Sequence, residues 1–305
     1  FIYYYFTGDQ TVTKGSAHPF GVFVMNITFV RGFFYQFWDT GIAQGWSLTV
    51  EECFYFSAPL IFYIAIRFKK FWLQPVALTA LGFVMVLIFR PVNWHGFFGN
   101  FTFMMLYTFL GRCFEFFVGI SLALLVLNKG FERKRRFNFT YTGFVLIFVF
   151  VGIIALLPIP AGWIAGLQHP FGIVLNNYFI AVAISLLFYG LLTEQSALRN
   201  ILSNPFVELL GKSSYIFYLI HLGYIYGYLH RSFDWLNDAV FNLYDKWEVD
   251  WVSPFQNDQL NLLYAFIALN ALAIFLFRFI EEPVNHAIRR TGFLIKPAPA
   301  QKEVN

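Results

Sequence analysis

The chain has 305 residues, 58% of them hydrophobic, 22% aromatic and 12% charged, with a formal net charge of +4. A soluble domain carries roughly 25% charged residues, so this sequence lacks the charge to coat a water-facing surface of its size. With mean hydropathy +0.60 and recurring apolar runs near the ~20 residues that a bilayer requires, it reads as an integral membrane protein.

The first six residues, "FIYYYF", read as the tail of a helix begun earlier, which predicts a fragment lacking its N-terminal part. No signal-peptide pattern is visible there. Residues 20–38 are apolar but interrupted by Asn26, Thr28 and Arg31, which suggests an interfacial or re-entrant piece rather than a clean span. Seven membrane helices are predicted after it, near 47–66, 72–89, 102–127, 139–157, 172–192, 213–230 and 260–281. Pro91, Pro158, Pro160 and Pro283 punctuate their ends. The third run is long and carries Gly111, Arg112 and Glu115, so a kinked or broken helix is expected. Cys53 and Cys113 lie inside apolar runs and read as core thiols, with neither a disulfide framework nor a metal spacing. The expected architecture is an all-α polytopic transmembrane bundle, one domain over 1–290 with a cytoplasmic tail at 291–305.

Positive charge orients this bundle. Arg67, Lys69 and Lys70, then Lys129 and Arg133 to Arg136 by way of Lys134, then Arg289, Arg290, Lys296 and Lys302 fall on one side if the spans alternate. The other side has Arg90 and an acidic loop at 231–258. The positive-inside rule makes the basic side cytoplasmic, with the C-terminus inside and the start of the first span outside. The basic turns read as topology signals, or as attractants for acidic ligands. They are too short to support nucleic-acid binding.

Polar groups inside spans are costly and usually face a bundle interior or a wet cavity. Four clusters stand out. Ser47, Glu51 and Tyr55 follow one another at i,i+4 on one helix face, next to Glu52; a capping box with Thr49 as N-cap would account for Glu52 alone. Arg112 and Glu115 are an i,i+3 pair, either a buried ion pair or part of a site. His221 lies near the middle of its span, either hydrogen-bonded within the core or catalytic, while His230 sits at the outer end. Arg278 can reach Glu281 or Glu282 as a structural clamp. No phosphate loop, nucleophile elbow or paired-His zinc motif occurs, and "HRSFD" at 230–234 has one residue too few between His and Asp for the soluble and peripheral glycerolipid acyltransferases.

Four stretches in order, "WSLTVEECFYF", "GRCFEFFVG", "LSNPFVELLGKSSYIFYLIH" and "FRFIEEP", lie within residues 46–283. They resemble the W-S-L-x-x-E-E-x-F-Y, R-x-x-E-F-x-x-G, L-G-x-x-S-Y-x-x-Y-L-x-H and R-F-I-E-x-P elements of the acyltransferase 3 family of membrane acyltransferases. The resemblance implies an enzyme of about ten spans, both termini cytoplasmic, that moves an acyl group, often acetyl from acetyl-CoA, onto a carbohydrate or glycolipid outside the membrane. Acyl-CoA is then a co-substrate and no cofactor or metal is bound. The family's first helix carries a basic residue and, some ten positions on, a histidine for transfer, with a basic R-x-x-R element after it. This chain has neither, so the resemblance places that histidine upstream of Phe1 and expects the chain by itself to be inactive. Cys53 stands where the family often has Gln.

The expected chemistry is attack of an acceptor hydroxyl on the thioester, which needs a general base and a donor for the developing oxyanion. Glu51, Arg112, Glu115 and His221 are the catalytic candidates. Trp46, Ser47, Glu52, Tyr55 and Tyr218 are the substrate-binding ones, while Ser214 and Tyr215 are expected to fix helix packing. A transporter or polysaccharide permease is the rival class, though the halves show no internal repeat. Another multispan acyltransferase family, with His221 as catalyst, is the third.

Overall fold

The computed structural model describes residues 19–129, 138–163, 165–248 and 252–290. Among them the chain is helical, with no pairing of strands beyond one antiparallel bridge between Phe34 and Phe97. Two compact units are present, divided between Ile201 and Leu202.

In the first unit, α1 (Pro19–Ile27) has nine residues, about 13 Å at 1.5 Å per residue and short of a bilayer, as expected of the interrupted segment. A 3-10 turn at Val30–Phe33 follows. The loop it opens is clamped to the next helix, α2 (Trp46–Phe68): the Thr49 hydroxyl donates to the Phe29 carbonyl, and a Cβ at Gly32 would strike the Thr49 side chain. This corrects the capping-box reading. The N-cap of α2 is Gly45, and Thr49 is buried one turn inside the helix, where its hydroxyl serves a loop.

α3 (Leu73–Phe89) is 17 residues long. The expected broken helix is α4 (Phe101–Tyr107) and α5 (Phe109–Lys129), interrupted at Thr108, which is extended at φ −117° and ψ 155°. α6 (Phe139–Leu156) packs along α7 (Pro170–Thr193) through glycines, as small residues allow between membrane helices. A Cβ at Gly143 would meet the Leu187 backbone, and one at Gly190 the Thr140 backbone. The α6 N-terminus is capped from the far end of α7. Glu194, 8% exposed, accepts from the backbone of Phe139 (2.8 Å) and Thr140 (3.2 Å) and from the Thr140 hydroxyl (2.7 Å), a carboxylate at the positive end of a helix.

In the second unit, α8 (Pro205–Ile220) starts on Asn204, whose side chain accepts from Phe206 N at 2.9 Å. α9 (Tyr224–Trp247) follows, then α10 (Asp258–Arg290). The expected continuous span at 213–230 is broken: α8 ends at His221, and Gly223 takes φ 85°, a conformation that glycine alone adopts without steric cost. Much of the expected acidic loop is helical as well, since α9 carries Arg231, Asp234, Asp238 and Asp245. Ile220, Leu269 and Ala273 form the core here, with Ile216, Phe217 and Leu272 against them.

Among the described residues, five helical stretches are long and apolar enough to cross a membrane: Ala43–Phe68, Phe101–Asn128, Phe139–Leu156, Pro170–Thr193 and Asp258–Arg290. They turn large apolar side chains outward, Phe56 at 83% and Leu156 at 87% exposed, which water would penalise and lipid welcomes. The protein is an all-α, multi-pass membrane bundle. The basic residues Arg133, Lys134, Arg135 and Arg136, the acidic Asp250, the N-terminal stretch and the tail with Lys296 and Lys302 lie outside the described residues.

Candidate active site

A helix end leaves carbonyls without intrahelical partners, and the break at Thr108 creates such an end in the first unit. Three side chains satisfy it. The Thr108 hydroxyl donates to Met104 O (2.7 Å), Asn177 Nδ2 to Met105 O (2.7 Å), and Arg112 Nη1 to Leu106 O (3.3 Å). A guanidinium at the negative end of a helix is electrostatically favoured. The close fold-back needs Gly111, because a Cβ there would strike the backbone of Met104 and Met105.

The same guanidinium grips Glu115 with a fork, Nε to Oε1 at 3.0 Å and Nη2 to Oε2 at 3.1 Å. Such bidentate pairs are the strong and geometrically specific ones. Trp46, at the start of α2, places its ring 5.5 Å from the Arg112 Cζ, within cation–π range. Tyr107 meets Trp46 edge-on at 5.0 Å and lies 4.2 Å from Trp38. The structure therefore brings together Trp46, Arg112 and Glu115.

Arg112 and Glu115 line one end of a cavity of about 330 Å³ between α5 and α7. Asn176 and Ser185 are its other polar residues, while Val118, Leu122, Ile184 and Phe188 make the rest apolar. On the α7 side the wall contains a π turn, Leu175–Ile180, a distortion frequent at functional sites. Asn177 within it is fully buried and donates both to Met105 O and to Gly111 O (3.2 Å). Asn176 and Asn177 were not legible as site residues; their one sequence signal is a paired amide inside the apolar run "GIVLNNYFIA".

The other candidates are placed differently. Glu51 and Tyr55 do share a face of α2, but it is an exposed one, with Tyr55 61% exposed. Ser47 and Glu52 are half-buried, and none of the four lines the cavity. Nearby, Arg31 is buried at 2% exposure and donates from Nη2 to Ile42 O at 2.6 Å. Burial pushes its pKa down to about 10, opposed by the charge of Asp39; it ties down the loop before α2.

In the second unit, His221 Nδ1 lies 2.8 Å from Tyr218 O. A carbonyl only accepts, so Nδ1 is the donor in this contact, which leaves Nε2 as the nitrogen that is open to a proton. The ring stacks on Phe217 at 5.5 Å and 7°, which fixes its plane. Tyr218 contributes its backbone to this arrangement. Ser214 bonds within its own helix, to Gly211 O at 2.7 Å, and is exposed with Tyr215; the serine that packs is its buried neighbour Ser213. Arg278 reaches Glu282 at 3.1 Å. Among the described residues no group of three or more His, Cys, Asp or Glu could hold a metal ion.

No curated protein and no solved structure matches the chain. Residues 1–279 match the family Acyl_transf_3, described as Acyltransferase domain. That match covers most of the chain and takes in the break, the cavity and His221 alike, so the chain belongs to this family and is a membrane-bound acyltransferase.

Proposed function

We propose that the protein moves an acyl group, acetyl in the simplest case, from acyl-CoA to a hydroxyl of a carbohydrate or glycolipid acceptor outside the cytoplasmic membrane, with its C-terminus in the cytoplasm. The acceptor oxygen attacks the thioester carbonyl, its proton passes to a base, the C–S bond breaks and coenzyme A leaves as the thiol. The observation that carries this reading is the Arg112–Glu115 fork at the polar end of a cavity within membrane-spanning helices.

Arg112 has five N–H bonds, and the contacts to Glu115 and Leu106 O engage three of them. One on Nη1 and one on Nη2 remain for an oxyanion, where fixed donors in a dry site are most effective. Glu115 fixes the orientation of the guanidinium. His221 carries a separate proposal, as a proton acceptor: its Nδ1–H bond to Tyr218 O leaves Nε2 as the basic nitrogen. Glu51 and Tyr55 are assigned to acceptor binding on the exposed side of α2, with the half-buried Glu52 beside them.

The test uses the protein as its gene encodes it, with whatever precedes Phe1, in lipid nanodiscs with acetyl-CoA labelled in the acetyl group and a panel of alkyl glycosides. Label appearing in a glycoside ester, and lost in Arg112→Ala, is the expected result. Movement of intact glycoside across a vesicle membrane with no ester formed would instead establish transport.

A further inference from the structure

The two asparagines of the π turn orient each other, and the chain of constraints ends in the cavity. Asn177 Nδ2 faces two carbonyl oxygens, Met105 O at 2.7 Å and Gly111 O at 3.2 Å. Only the amide nitrogen can occupy that position, because an oxygen there would face two oxygens. Asn177 Oδ1 must therefore point the other way, where it accepts from Asn176 Nδ2 at 2.8 Å. That contact in turn settles Asn176, since only an N–H can face the Asn177 oxygen. Asn176 lines the cavity with Arg112, Glu115 and Ser185, so its carbonyl oxygen is left for a ligand, with the second N–H of the same amide beside it. A hydrogen-bond acceptor fixed in an otherwise mostly apolar wall discriminates strongly for a partner that donates.

From this geometry we infer that Asn176 is a hydroxyl-recognition residue of the cavity, its Oδ1 accepting from a hydroxyl of a polyhydroxylated acceptor. Asn177 is the positioning residue that aims it. The acceptor chemistry rests on the acyl-transfer reading of the cavity; the amide orientation stands without it. Arg112 and Glu115 are charged and engaged with each other, whereas a neutral amide oxygen binds a hydroxyl without competing for their ion pair.

The experiment measures equilibrium binding of tritiated octyl β-D-glucoside and of its fully O-methylated analogue, which cannot donate, to the full chain in nanodiscs. The wild type is expected to prefer the free glucoside, and Asn176→Ala to reduce that preference by about two- to tenfold, the range of one net hydrogen bond. Thermal melting confirms that the variant folds. Asn176→Val, whose side chain has neither donor nor acceptor, is the second variant and should lose the preference likewise. Absence of glucoside binding, equal binding of both probes, or a preference that survives both substitutions overturns the assignment. Acetyl transfer is followed in the same nanodiscs on the protein as its gene encodes it, with whatever precedes Phe1. A wild type that shows the preference but transfers nothing overturns the acyl-transfer reading and leaves the Asn176 site standing; one that transfers but shows no preference overturns the Asn176 site alone.

Discussion

Arg112 donates from Nη1 to the carbonyl of Leu106, six residues back across the helix break, at 3.3 Å. One guanidinium thus closes the end of α4 and holds Glu115 in its fork. Lysine at this position would keep the charge and lose the fork, since an ammonium is a point charge without planar donors. Arg112→Lys should therefore lower kcat by about 10²–10³, the usual effect of deleting an oxyanion donor. Steady-state rates with labelled acetyl-CoA measure this, and a lysine variant as fast as the wild type would remove Arg112 from the chemistry.

Asn177 makes a parallel prediction for stability. Replacing it by leucine keeps its approximate volume and strips Met105 O and Gly111 O of a donor, at about 1–3 kcal/mol for each buried group left unmade. Asn177→Asp should be worse, because a carboxylate would face the same two carbonyls. Thermal unfolding in a mild detergent compares the three proteins, and the expected order of stability is wild type, leucine, aspartate.

How far the sequence carried these conclusions depends on the distance between partners. The Arg112–Glu115 pair was legible because an i,i+3 spacing puts both on one helix face, and the break nearby was legible from the polar and glycine content of one long run. Asn177 was not, since its partners lie 72 and 66 residues away and no local pattern announces them. Glu51 drew attention as half of a carboxylate pair, but its helix turns that side outward. The 213–230 run looked continuous because an apolar tally does not register the positive φ of Gly223. Thr49 looked like a cap for a similar reason: the loop that takes its hydroxyl starts at Phe29, twenty residues earlier.

His221 offers a test confined to the second unit. Its Nδ1–H bond to Tyr218 O and its stacking on Phe217 fix the ring without using Nε2. His221→Ala should abolish acetyl transfer while leaving the melting temperature within a few degrees, because the hydrogen bond and ring contacts of the half-buried imidazole among the described residues are to Phe217 and Tyr218 of its own helix. Transfer near the wild-type rate would end its proposed role as proton acceptor.

Glu194 caps α6 with three hydrogen bonds from a buried position. Glu194→Ala leaves two backbone N–H groups and the Thr140 hydroxyl without that partner, which should cost about 1–3 kcal/mol. Glu194→Gln retains one acceptor oxygen and should fall between. Because Glu194 lies outside the cavity lining, the expected signature is a lower melting temperature with kcat unchanged in the surviving folded protein.

The α6–α7 contact gives the most severe test of the packing. At Gly190 an added Cβ would run into the Thr140 backbone and hydroxyl, and backbone in a packed helix pair cannot step aside as the end of a flexible side chain does. Overpacking of this kind costs typically about 1–3 kcal/mol, and here it would also pull the N–H groups of Phe139 and Thr140 away from Glu194. Gly190→Val should therefore destabilise more than Glu194→Ala alone, and combining the two should add little, since both act on one contact. Gly152, on the same helix as Thr140, meets nothing within 4 Å, so Gly152→Ala should be silent or slightly stabilising through helix propensity. Equal melting temperatures for Gly190→Val and Gly152→Ala would show that α6 and α7 do not pack at this distance.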